Sequence, residues 1–133
     1  MENVKAAISS LQHFIGRKQL VVMATSCNGE EGDFFRKMLV ELAATIDKMP
    51  KIGETDGQGD NAIVHLHYFR GAADYHVIEK DLTPEQIQAF GMCDLGMGFP
   101  ELGYVPIQEL LRYDFELDLY WQPITLQAVK ASR

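Results

Sequence analysis

The chain has 133 residues and a mass of 15.0 kDa, enough for one domain that buries its own core without disulfides or a structural metal. Its 47% hydrophobic and 23% charged composition excludes a disordered chain, and no apolar run approaches the ~18 residues of a membrane-spanning helix. A net charge of −7, from 12 basic and 19 acidic residues, disfavours phosphate backbones, so no direct nucleic-acid binding is expected.

"MENVKAAISS" lacks a basic segment followed by an apolar one, so no export signal is expected and a cytoplasmic location follows. From Asn3 onward, Val4, Ala7, Ile8, Leu11 and Ile15 recur at helical spacing, and Gly16 stands where a C-terminal cap glycine belongs. "QLVVMAT" (19–25) is a continuous, partly β-branched run and is read as a buried strand, although periodicity alone does not separate it from a helix. Cys27 and Cys93 have no CxxC spacing and are expected to be free thiols. Cys27 precedes the next helix, where the dipole would lower a thiol pKa; without a Cys and His motif, an inert thiol is the preferred reading.

The second helix carries Phe35, Leu39, Leu42, Ile46 and Met49 on one face, with Glu30, Glu31 and Asp33 at its start, Lys48 near its end and Pro50 as its stop. Residues 51–60 read as a flexible loop. Asp56, Gln58 and Asp60 alternate like the opening of an EF-hand, but Asn61 stands at the glycine position and His67 at the bidentate glutamate position, so a calcium loop is not expected.

After the loop the hydrophobic period changes to that of strands. "AIVHLHYF" and "DYHVIEK" flank "RGAA" as a hairpin, with strands near Ile63 to Phe69 and Tyr75 to Glu79. In "LTPEQIQ", Thr83 as N-cap and Pro84 at the first helical position predict a short helix, and "AFGMCDL" is a further strand. "ELGYVPIQELL" gives a short strand, then a helical turn from Pro106 to Leu111. "DFELDLYW" alternates Phe115, Leu117, Leu119 and Trp121 with Asp114, Glu116, Asp118 and Tyr120, as a half-buried strand should. Pro123 ends it, and "ITLQAVKASR" adds a last helical turn. The expected fold is one α+β domain over residues 1–133: an antiparallel sheet of four or five strands with N-terminal helices packed on one face.

Three of the four histidines, His65, His67 and His76, fall on the hairpin. His65 and His67 project to one face; a loop of two or four residues sets His67 opposite His76, where three imidazoles could bind Zn²⁺. The spacing is not a familiar zinc signature, and structural histidines are the preferred reading, with no cofactor expected. Glu79, Glu101 and Asp118 form an acidic set that could act as acid and base or hold Mg²⁺; capping or solvent-facing roles are more usual. "FGMCDLGMGF" offers Gly91, Gly96 and Gly98 without a GxGxxG pattern, while Met92, Met97 and Phe99 could form a soft contact surface.

The ordered motifs "GDNAIVHLHYF", "DYHVIEKD", "AFGMCDL", "ELGYVPIQEL" and "ELDLYW", about Gly59 to Leu126, resemble a family of small domains of unknown function found on plasmids and integrative conjugative elements. In that family's pattern the positions of His65 and His76 are more often aliphatic or aromatic. "EEGDFF" and the second helix look like a longer version of the family's own, and residues 1–50 form a helical extension. The resemblance implies an accessory role in mobile DNA, helping it persist or evade host defence, and supplies no catalytic residues. The expected function is protein binding rather than catalysis, with Glu101, Tyr104, Asp118 and Tyr120 as partner-binding candidates. The apolar stripe of helix one (Val4, Ile8, Leu11, Ile15) could alternatively serve a homodimer or partner groove. The competing expectation is a metal- or carboxylate-dependent enzyme using the hairpin histidines or the acidic set.

Overall fold

The computed structural model describes residues 2–133. Three helices come first: α1 (Glu2–Leu11), α2 (Arg17–Ser26) and α3 (Gly32–Lys48). The predicted stripe of α3 holds, with Leu39, Ile46 and the following Met49 buried. Helix α1 buries Val4, Ala7 and Leu11 in the same cluster, and Phe14 and Ile15 follow it inward. Val4, Leu11 and Ile15 of its stripe are therefore core, while Ile8 stays partly buried beside α2.

"QLVVMAT" is not a strand. It lies in α2, where Met23 is buried while Val21 and Val22 face solvent. Only one side of that run is buried, and packing on α1 and α3 overrides the β preference of two valines. Cys27 caps the C-terminus of α2 and is buried, its thiol donating to the Met23 carbonyl at 3.4 Å. It therefore sits at a helix end of the opposite polarity to the one expected.

A single-turn 3₁₀ segment (Gly59–Asn61) leads into β1 (Ile63–Val64), β2 (Leu66–Arg70), β3 (Ala73–Glu79), β4 (Ala89–Asp94) and β5 (Glu101–Val105). Then come α4 (Ile107–Arg112), β6 (Glu116–Leu117), β7 (Ile124–Thr125) and α5 (Leu126–Ala131). Five antiparallel strands form one sheet in the order β5-β4-β3-β2-β6, and β1 pairs with β7 beside it. The α+β class and the five-stranded sheet match the expectation.

Both faces of the sheet are covered. Leu66, Tyr68 and Val77 point into the helical layer, whereas Ile78 and Met92 meet Val64, Leu126 and Val129 on the α5 side. Tyr68 is fully buried and its hydroxyl donates to the Phe14 carbonyl at 2.5 Å, which bolts the helical layer to the sheet. The hairpin turns through Gly71 at φ 56°, a conformation a two-residue connection requires.

Two further expectations fail for local reasons. "LTPEQIQ" forms no helix, because the Asp81 carboxylate accepts from the amides of Leu82, Ile87 and Gln88 and from the Thr83 hydroxyl, curling the segment around itself. The strand in "DFELDLYW" shrinks to Glu116–Leu117: Asp118 accepts from the Tyr120 amide at 3.1 Å and turns the chain away from the sheet.

Candidate functional site

The α5 face of the sheet carries the most unusual chemistry. Strand register sets His67 directly opposite His76, as a two-residue turn demands, and Asp74 opposite Asp94 on the next strand. The two imidazoles stack with centroids 4.7 Å apart and planes 13° from parallel, and Trp121 leans on both rings at 5.2 and 5.5 Å. The indole is itself fixed by donation to the Val64 carbonyl at 3.0 Å.

Both nitrogens of His67 face carboxylates: Nε2 lies 2.6 Å from Asp74 and Nδ1 3.1 Å from Asp118. His76 has the opposite surroundings. It is buried and its Nδ1 has no hydrogen-bond partner. Burial first, then the neighbouring His67, lowers its pKa to about 4, with Asp74 opposing and Arg133 adding to the fall. Arg133 itself pairs with the buried Asp94. One imidazole of the stack is thus provided with two anions while its neighbour is kept neutral.

His65 does not join this stack. It lines a cleft of about 390 Å³ between α3 and residues 118–123, where burial lowers its pKa. The three hairpin imidazoles are therefore divided between two environments, and among the described residues no group of three or more His, Cys, Asp and Glu side chains is arranged to hold a metal. The alternation of strand side chains put His67 against His76; it could not show that the chain bends at His65, between β1 and β2.

The acidic set does not converge either. Glu79 is a buried anchor, accepting from the Gly53 and Thr55 amides at 3.0 and 2.8 Å and from the Thr55 hydroxyl, which holds the 51–57 loop against the sheet. Glu101 lies exposed on β5, at one edge of the sheet, and Asp118 follows β6, at the other. The partner-binding candidates divide in the same way: Glu101 and Tyr104 at the β5 edge, Asp118 and Tyr120 beside the cleft. Four strand spacings, about 19 Å, separate the two edges.

The two edges differ in kind. Strand β6 has two residues, and the Gln19 side chain from α2 bonds Leu117 in both directions, Nε2 to the carbonyl at 2.8 Å and the amide to Oε1 at 3.0 Å. That amide closes the edge as a neighbouring strand would. Strand β5 has five residues, and among the described residues no strand pairs with its outer side. Next to it, Leu95, Met97 and Phe99 on the β4–β5 turn and Leu102 and Tyr104 on the strand are all more than half exposed. Met92, grouped with these in the sequence, is instead buried on the α5 face.

No helix of the described residues is long and apolar enough to cross a membrane. No curated protein and no solved structure matches the chain. Residues 36–123, more than half of the chain and running from α3 to the turn after Trp121, match the family described as protein of unknown function (DUF2958), and the chain belongs to that family.

Proposed function

We propose that this protein works by binding another protein, and that its contact surface is the β4–β5 turn together with the outer edge of β5. One observation carries the reading: Leu95, Met97, Phe99, Leu102 and Tyr104 stand 53–80% exposed along a sheet edge that no strand of the described residues covers. Exposed apolar clusters of this kind mark interaction sites, and an open edge offers its backbone groups to an added strand. The contrast with β6, closed by Gln19, supports selection for an open β5 rather than general neglect of edges. The occupant is an extended segment of a basic protein. Apolar side chains would meet Leu102 and Tyr104, and Lys or Arg residues would meet a chain of net charge −7. The likeness of its motifs to domains of plasmids and conjugative elements supports an accessory role in a mobile element, with a host protein as the target. Catalysis by Glu79, Glu101 and Asp118 has less behind it, because those three carboxylates lie apart.

The test pairs wild type with a Met97→Ser, Phe99→Ser double variant, both positions being solvent-exposed and outside the core. Amide shifts are followed on adding a partner captured by the wild-type chain. Capture lost in the double variant, with wild-type shifts concentrated in Glu101–Val105, is the expected result. Equal capture by both proteins, or shifts confined to the helices, would overturn the reading.

A further inference from the structure

The cleft between α3 and residues 118–123 lies on the far side of the sheet from β5 and takes no part in the proposed protein contact. Its lining is chemically uneven. Phe34, Tyr120 and Trp121 are among the residues lining a space of about 390 Å³, the Trp121 indole also leaning on His67 and His76, and Glu41 and Asp118 are its acidic residues. Ligand pockets start at about 300 Å³, so the cleft has room for a small molecule or one long side chain. Phe34 and Tyr120 are 50% and 71% exposed, aromatic surface left facing water rather than packed into the core.

Fixed charges favour a cation here. Asp118 is held from behind by His67 and by the Tyr120 amide, so its carboxylate stays in place and keeps lone pairs free for a further donor. The one lysine of the lining, Lys37, pairs across a helical turn with Glu41 at 3.9 Å. His65, the imidazole of the lining, is pushed by burial toward its neutral form and adds no competing charge. Aromatic faces carry negative potential and attract cations whose hydration is weak, most of all alkylated ammonium groups.

We infer that this cleft binds an organic cation, an alkylated ammonium group seated against Phe34, Tyr120 and Trp121 with Asp118 as its counter-ion. Binding uses the rings for the alkyl groups and the carboxylate for the charge, so a neutral molecule of the same shape loses the second half of the interaction. The group could be carried by a free small molecule or by a methylated lysine side chain; the cleft chemistry is the same for both.

Trp121 is the chain's single tryptophan, so its fluorescence reads the cleft directly. The probes are choline, its uncharged isostere 3,3-dimethyl-1-butanol, and a short peptide containing trimethyl-lysine. A saturable change with choline or the peptide, at least tenfold weaker with the alcohol, is expected. Whichever of the two cations binds more tightly identifies the source. Phe34→Ala and Tyr120→Ala, which remove largely exposed rings and spare the core, should each weaken binding severalfold without altering the circular dichroism. Equal responses to choline and the alcohol would reduce the cleft to an apolar depression, and no saturable response to either cation would remove the site. Neither result bears on the β5 edge, since binding there is read from a different set of amides.

Discussion

At the scale of single residues, the stacked histidines make the sharpest statement about pH. The folded chain holds His76 near 4 against an ordinary 6.5, so the unfolded chain binds a proton in that window that the folded one refuses. The stabilising contribution of the neutral ring is complete above about pH 6.5 and is lost as pH falls toward 4. With each pKa unit worth about 1.4 kcal/mol, the loss is on the order of 3 kcal/mol. A His76→Phe variant keeps a flat ring against His67 and has nothing to protonate. The gap in urea-unfolding free energy between wild type and this variant should shift against wild type from pH 7 to 4 and then level off; a gap constant with pH would show that His76 titrates normally in the fold. Glu79 makes a second residue-scale case. Replacing it with alanine strands the Gly53 and Thr55 amides and the Thr55 hydroxyl, for an expected cost of about 2–4 kcal/mol and faster hydrogen exchange in the 51–57 loop. Glu79→Gln, which keeps an acceptor of the same shape, should recover part of that loss.

Among the elements, the central strands depend on one glycine. The register of β3 against β4 shifts between Val77 and Glu79, and the bulge presses the His76 carbonyl onto Gly91, where an added Cβ would sit 2.0 Å from that oxygen. The obstruction is backbone and cannot swing aside. Gly91→Ala should therefore cost at least ~3 kcal/mol in thermal or urea unfolding and loosen β4 in hydrogen exchange, whereas Gly103→Ala on the open β5 edge should cost under ~1 kcal/mol. A mild effect at Gly91 would mean that the bulge is absent in solution. The sequence announced a glycine inside a strand but not its reason, because a bulge is a relation between two strands. Legibility followed the range of the forces involved. The α3 stripe is set by local periodicity and was readable; the β2–β3 hairpin was readable too, but its register hung on a loop length that the two-residue turn at Gly71 decides. Helix α2 was not, since its two exposed valines carry the look of a buried strand and only packing on α1 and α3 decides otherwise. The Asp81 turn was hidden for a related reason: one carboxylate accepting from backbone amides up to seven residues ahead displaces a helix start that Thr83 and Pro84 advertise. The site residues follow the same rule. His67 facing His76 came from register alone, while Asp118 on one nitrogen and Asp74 on the other depend on how β6 and the chain after it return to the sheet.

For the whole molecule, the family match begins at Arg36, yet the core does not. Leu11, Phe14, Ile15, Met23 and Cys27 all lie before it and all are buried in the cluster that covers one face of the sheet. Tyr68, in the middle of β2, gives its hydroxyl to Phe14 in the turn between α1 and α2, and Gln19 of α2 closes the β6 edge, so two polar contacts of the matched region also end on the N-terminal helical segment. These helices therefore behave as part of the domain and not as an appended arm. Burying a large apolar side chain is worth about 1.5–3 kcal/mol, so removing Leu11, Phe14, Ile15 and Met23 together forfeits roughly 6–12 kcal/mol, comparable with the 5–15 kcal/mol that holds an ordinary domain folded. The helical face of the sheet would keep only the remainder of α3 as cover, and the Tyr68 hydroxyl would lose its acceptor. A chain of residues 36–133 should therefore fail to give a cooperative thermal transition or dispersed amide resonances. Leu11→Ala in the full chain, a single cavity at a fully buried position, should remain folded with a loss of about 2–5 kcal/mol. A well-dispersed spectrum from the shortened chain would show that the matched region folds alone, and would return α1 and α2 to the status of an attachment.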